Sequence, residues 1–190
     1  MALNLFYIHG FMSSEQSHKA QVTGRYLAQH HPNVIYQVPR LADEPEAAIA
    51  QLRQLIEAAM PEPVAVIGSS LGGFYSHFLA EHYPLKAVLI NPAVAPYRLL
   101  KDYQGPQTNP YTGNKFELGE QQMTQLKNIE QTVQQPERVQ VWLETSDEVL
   151  DYQQAADYFV GCDVRIRQGG DHSYQHFEQD LASMLAFLMG

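Results

Sequence analysis

The sequence predicts an α/β fold, a mainly parallel sheet of about six strands flanked by helices on both faces. Three observations carry that reading. Short β-rich runs alternate with helix-like segments from end to end of the 190 residues. A chain of this length fits one domain, able to bury about 70% of the surface its unfolded form exposes. The residues best suited to chemistry follow directly after strands, where parallel sheets gather their functional groups.

Taken in order, the first strand spans 3–8 and runs straight into His9-Gly10. Because no basic region precedes it, this start reads as a strand and not as a secretion signal. Ser13-Ser14-Glu15-Gln16-Ser17 resembles a helix start, with a capping serine and Gln16 three places after Ser13. A second strand is expected at 34–38. Ala48, Leu52, Leu55, Ile56 and Ala59 then recur at helical spacing between Asp43-Glu44-Pro45 and Pro61. The third strand, 64–67, leads through a glycine-flanked turn into another helix, and a fourth follows at 87–90. From Asn91 to Gly119 the rhythm breaks, with Pro92, Pro96, Pro106 and Pro110 among the aromatics Tyr97, Tyr103, Tyr111 and Phe116. A connection this long is read as a small cap-like insertion at about 92–119 within one domain of residues 1–190; the alternative is a surface excursion whose aromatics pack on the core. The glutamine-rich stretch 121–135 carries Leu126, Ile129 and Val133 at helical spacing and reads as an exposed helix. Strands at 139–143 and 164–167 and a last helix marked by Phe177, Leu181, Leu185 and Leu188 complete the pattern.

Composition narrows the function. With 12 basic and 21 acidic side chains the net charge is −9, and no lysine or arginine cluster interrupts it. That balance argues against a nucleic-acid partner. No apolar stretch approaches the roughly 20 residues of a membrane span. The single cysteine, Cys162, cannot form an internal disulfide and reads as a packed thiol, so a reducing, cytoplasmic setting is expected. No cofactor and no metal site are expected, and the sequence is silent on oligomeric state.

Gly68-Ser69-Ser70-Leu71-Gly72, between a strand and a helix, makes Ser70 the candidate nucleophile. A serine hydroxyl has to be presented on a tight turn, and only glycine fits two residues to either side of it. The base must be an imidazole held in one tautomer by an acid. His172, in Gly169-Gly170-Asp171-His172-Ser173, follows the last strand; Asp147, in Thr145-Ser146-Asp147-Glu148-Val149, follows the one before. Glu148 and Asp151 lie near enough to compete as the acid, while Asp171 adjoins His172 too closely to orient its ring. Among the other histidines, His30, His31, His77 and His82 fall on helices and read as solvated or structural. His176, four residues after His172, would need a further ligand to hold a metal. Backbone N–H groups of Leu71 and Phe11 are the candidate oxyanion donors, with His9 bracing the Phe11 loop. Phe11, Phe74, Tyr97 and Tyr111 are candidate substrate-lining residues, although Phe74 and Tyr75 also suit the helix–sheet core.

These motifs resemble the α/β-hydrolases and, among them, the small bacterial YqiA/YcfP-like esterases. The matching pieces are Tyr7-Ile-His-Gly-Phe-Met-Ser-Ser, Ile67-Gly-Ser-Ser-Leu-Gly-Gly-Phe-Tyr, Asn91-Pro-Ala, Asp147-Glu-Val-Leu-Asp-Tyr and Gly169-Gly-Asp-His, spread over nearly the whole chain. The resemblance implies a minimal α/β-hydrolase fold without the two leading strands of larger hydrolases, a Ser70–His172–Asp147 triad, no cofactor, and hydrolysis of carboxylic esters. An ester of short to medium acyl length is the expected substrate. The alternatives are an acyl-CoA thioester, whose phosphates Arg98, Lys101 and Lys115 could receive, and a non-catalytic binding protein on the same scaffold.

Overall fold

Alternation of apolar side chains sets the two faces of the central sheet. In the computed structural model, which describes residues 2–190, the elements are β1 (Asn4–Ile8), α1 (His18–His30), β2 (Ile35–Gln37), α2 (Pro45–Ala59), β3 (Val64–Ser69), α3 (Leu71–His82), β4 (Lys86–Ile90), α4 (Pro96–Leu99), β5 (Gly105–Thr108), β6 (Lys115–Leu118), α5 (Glu120–Asn128), β7 (Val139–Glu144), α6 (Tyr152–Tyr158), β8 (Asp163–Arg167) and α7 (Phe177–Met189). Six strands pair in the order β2-β1-β3-β4-β7-β8, all parallel. In β1, Leu5 and Tyr7 pack with Ala20 and Leu27 of α1 and Leu181 and Leu185 of α7. Phe6 and Ile8 point the other way, toward Leu52 and Ile56 of α2 and Leu79 of α3. Buried on both sides, β1, β3 and β4 are almost continuously apolar, as parallel strands are, whereas β7 also buries Gln140 and Glu144.

The strand order reverses between β1 and β3. The chain first moves outward from β1 to β2, then returns to the far side of β1 with β3 and continues away from it. At such a switch point the loops leaving the two strands diverge and open a crevice beyond their carboxyl ends. His9 to Met12 leave β1 there, and Ser70 leaves β3.

All six expected sheet strands are present. Three local expectations change. Helix α1 starts at His18, after Ser17, and Ser17 makes no side-chain capping bond; Ser14 instead accepts from Gln16 N at 3.2 Å in a serine turn. The interval 92–119 contains a two-stranded antiparallel hairpin, β5–β6, which its prolines and glycines concealed. Helix α5 ends at Asn128, so 129–135 is irregular, and its buried face is formed by Gln122, Met123 and Leu126. Met123 and Leu126 join the main core together with Leu100 and Leu118, which ties 92–119 to the body of the fold.

Candidate active site

Ser70 lies between β3 and α3 with φ 56° and ψ −120°, a backbone conformation that costs an L-residue energy and lifts the side chain off the sheet edge. The flanking glycines have a steric reason to be there. A Cβ at Gly72 would collide with the carbonyl oxygens of Ile8 and His9, and one at Gly68 with Gly72 O and Ser76 Oγ. Ser70 N donates to Ile90 O at 3.0 Å, and Ser70 O accepts from Gly73 N and Ala93 N at 2.9 and 3.1 Å, so neighbouring segments hold the turn from both sides.

His172 Nε2 lies 3.0 Å from Ser70 Oγ. Its Nδ1 lies 2.8 and 3.0 Å from the two carboxylate oxygens of Asp147. A buried carboxylate there keeps the proton on Nδ1 and leaves Nε2 free to accept from the serine hydroxyl. Asp147 is itself fixed: Oδ1 also accepts from Val149 N and Leu150 N at 2.9 and 2.8 Å, and its side chain is 2% exposed. The competing acids have other partners. Glu148 Oε2 accepts from the backbone N–H of His172 at 3.0 Å, Asp151 caps α6 through Gln153 N, and Asp171 accepts from Ser173 N.

Two residues to which the sequence assigned no role, Glu144 and the Asn91 of the Asn91-Pro-Ala piece, hold the His172 loop. Glu144, the last residue of β7, is fully buried. Its carboxylate accepts from Asp171 N at 2.7 Å, Gln175 N and His176 N at 3.0 Å, and the His176 ring at 2.6 Å. A buried carboxylate is tolerated only when so satisfied. Gly170 makes room for it, since a Cβ at that position would overlap the Glu144 carboxylate. Asn91, after β4, accepts from Glu144 N at 3.0 Å and donates to the carbonyls of Asp171 and His172 at 3.0 and 3.3 Å. His176 is thereby engaged by Glu144, not paired with His172.

Beside Ser70 lie two backbone N–H groups without a protein acceptor among the described residues. Leu71 opens α3, so its N–H has no intrahelical acceptor. Phe11 N also donates to no protein acceptor among the described residues. The loop that presents Phe11 is braced by His9, whose Nδ1 bonds Gly10 O at 3.0 Å and whose Nε2 accepts from Leu41 N at 3.3 Å. Burial lowers the pKa of this ring, favouring the neutral form that such an acceptor role requires.

Two cavities open on Ser70 and share Phe11, Met12 and His172. The smaller, about 340 Å³, is apolar and includes Leu71, Ala93, Leu99, Leu100, Tyr103 and Val149. The larger, about 900 Å³, is a groove of mixed lining that includes Ser13, Ser17, Lys19, Tyr111, Gln175 and Gln179. Phe11 and Tyr111 thus border the site. Phe74 and Tyr97 do not: helical spacing turns Phe74 inward beside Tyr75, and Tyr97 packs on the core with its hydroxyl on Glu130 at 3.2 Å. Arg98, Lys101 and Lys115 also lie outside both linings, and the lysine in the groove is Lys19. Cys162 is half-buried beside Phe159, and burial pushes its thiol up to about 11.

Sheet order, elbow and strand-end loops together define the α/β-hydrolase fold, and solved structures agree. Alpha/beta hydrolase domain-containing protein 10 from mouse superposes with a TM-score of 0.75 at 17% identity, covering 98% of this chain and 89% of that one. Est1E from Butyrivibrio proteoclasticus gives 0.71 at 13% identity, over 100% and 89%. The ydeN gene product of B. subtilis gives 0.67 at 12% identity and covers both chains fully, at 100% each. Within that fold the chain belongs to UPF0227, described as an uncharacterised protein family, which matches residues 4–189.

Proposed function

We propose that this protein is a serine hydrolase that cleaves carboxylic esters of short to medium acyl chains. The observation that carries the reading is the continuous hydrogen-bonded run from Asp147 through His172 to Ser70, at a turn of positive φ and opposite two unengaged backbone N–H groups. A pure binding protein has no need of all four parts together. Ferulic acid, a carboxylic acid, is bound to Est1E in another structure of that similar fold.

In the proposed reaction Ser70 Oγ bonds to the ester carbonyl carbon while its proton passes to His172 Nε2. The carbonyl oxygen gains the negative charge and takes hydrogen bonds from Phe11 N and Leu71 N. As the tetrahedral adduct collapses, the carbon–oxygen bond to the alcohol breaks and His172 returns the proton to the departing oxygen. Water, deprotonated by the same ring, then attacks the acyl-serine, releasing the acid and restoring Ser70. Asp147 stabilises the imidazolium formed in each half. The segment 92–119 serves as a cap, supplying Ala93, Leu99, Leu100 and Tyr103 to the apolar cavity.

A fluorophosphonate probe, with the adduct mapped by mass spectrometry, tests this directly. One adduct on Ser70 that disappears in His172→Ala is the expected result. A folded wild-type protein that hydrolyses no ester and stays unlabelled would overturn the reading in favour of a binding scaffold.

A further inference from the structure

The direction in which a substrate lies follows from where its leaving group has to be. His172 Nε2 returns a proton to the departing oxygen, so that atom sits on the His172 side of the carbonyl and the acyl chain on the other. Ser173, Tyr174 and Gln175, which continue the His172 loop, line the large groove and do not line the apolar cavity. Leu71, the oxyanion donor, lines the apolar cavity and not the groove. The acyl chain therefore enters the 340 Å³ apolar cavity, and the leaving group extends along the larger, mixed groove.

One lysine lines that groove. Lys19, in the first turn of α1, donates through Nζ to Ser173 O at 2.7 Å. An ammonium has three donors. The Lys19 ammonium makes no other hydrogen bond and no ion pair among the described residues, which leaves two of its donors without a protein partner. The two carboxylates of the same lining do not pair with Lys19: Glu148 accepts from His172 N at 3.0 Å, and Glu178 is exposed, 3.6 Å from His18 Nε2. Burial also lowers the Lys19 ammonium to about 8, against the opposing pull of Asp171, Glu144 and Asp147. A cation with unfilled donors, half-buried in the groove that Ser70 also lines, is matched by a substrate anion.

We propose that Lys19 is a specificity-determining residue that receives an anionic group, carboxylate or phosphate, carried on the leaving group of the substrate. This rests on the ester-hydrolase reading of Ser70. The acyl side selects for apolar bulk, and the leaving side selects for charge.

The test is a set of para-substituted phenyl butyrates bearing a carboxamide, a carboxylate or a phosphate on a spacer that equalises the acidity of the phenol. Values of kcat/KM are compared for wild type, Lys19→Gln and Lys19→Arg. Losing the contact to Ser173 slows every ester alike, so the ratio of anionic to neutral ester is the readout. A charged hydrogen bond of this kind should give the wild type on the order of a tenfold preference, retained in Lys19→Arg and lost in Lys19→Gln. The arm that shows the larger preference identifies the anion. No preference in the wild type, or one that survives in Lys19→Gln, would overturn the proposal. Calorimetric binding of the corresponding phenols separates it from the reaction: tighter binding of the anionic phenol that depends on Lys19 supports the site even if no ester is cleaved. Ester cleavage at Ser70 with no Lys19-dependent discrimination rejects the site and leaves the hydrolase reading standing.

Discussion

The two walls of the Ser70 crevice are built by opposite means. On one side the loop 169–176 is held by hydrogen bonds to buried polar groups: Glu144 takes three backbone N–H groups and a ring nitrogen, Asn91 takes hold of two carbonyls, and Glu148 takes the N–H of His172. On the other side α4 and the turn behind it meet the site through Ala93, Leu99 and Leu100 and rest on the apolar cluster of Leu118, Met123 and Leu126. Hydrogen bonds are directional, so the first wall fixes the orientation of the imidazole. Apolar contact is not, so the second can change shape while staying closed. A base has to be aimed, whereas an acyl chain has only to be enclosed.

That contrast is broken most severely at the reacting atoms. Ser70→Ala should lower turnover by roughly 10⁴-fold or more, since only binding and the oxyanion donors remain. Asp147→Asn should follow, with kcat reduced about 10³- to 10⁴-fold and KM little changed, because the amide favours the wrong ring tautomer. Steady-state kinetics on one soluble ester compares both.

Glu144→Gln sharpens the comparison, because it alters the polar wall without touching a reacting group. An amide nitrogen in place of one carboxylate oxygen would face N–H donors. The expected result is a loss of about 2–4 kcal/mol in unfolding free energy and a fall in kcat of about 10- to 100-fold, with KM preserved. Denaturant titration and kinetics on the remaining folded protein measure the two separately; a stability loss with full kcat would reduce Glu144 to a structural role. On the apolar wall, Leu99→Ala should leave kcat for a short acyl ester nearly intact and raise the kcat/KM ratio of longer over shorter chains about tenfold, as enlarging a hydrophobic pocket does. An unchanged chain-length profile would place the acyl group elsewhere.

The smallest expected effect lies in pH. Lys19 is charged below its pKa of about 8 and neutral above it. Any preference for an anionic leaving group should therefore be complete at pH 7 and fade as pH rises past about 8, while the neutral ester shows no such fading. A ratio constant to pH 10 would show that the lysine does not supply the discrimination.

Much of this molecule is legible along the chain. The alternation of Leu5, Phe6, Tyr7 and Ile8 marks a strand buried on both faces, and the spacing of Ala48, Leu52 and Ile56 marks a helix packed on it. Gly68 and Gly72 bracket Ser70 for a steric reason that acts within five residues. His172 and Asp147 could be selected because parallel topology places strand ends along one edge. Where local signals conflicted, the reading went astray. Ser13 and Gln16 suggest a capping box, yet the chain first spends those residues turning out of the β1 loop, and α1 waits until His18. The prolines of 92–119 hid a hairpin whose pairing depends on its partner strand more than on propensity.

What the sequence by itself determined is therefore whatever rests on short-range sterics and periodic burial: the strands, the helices packed on them, and the strained turn under Ser70. What only the tertiary structure decided rests on meetings of distant residues. Glu144 reads as the polar end of a strand and Lys19 as an ordinary exposed helix residue until folding brings the loop 169–176 against both. The reason is physical. A carboxylate or an ammonium has no role until its surroundings are known, because removal from water makes its partners decide its energy, and those partners are chosen by the packing of the whole sheet.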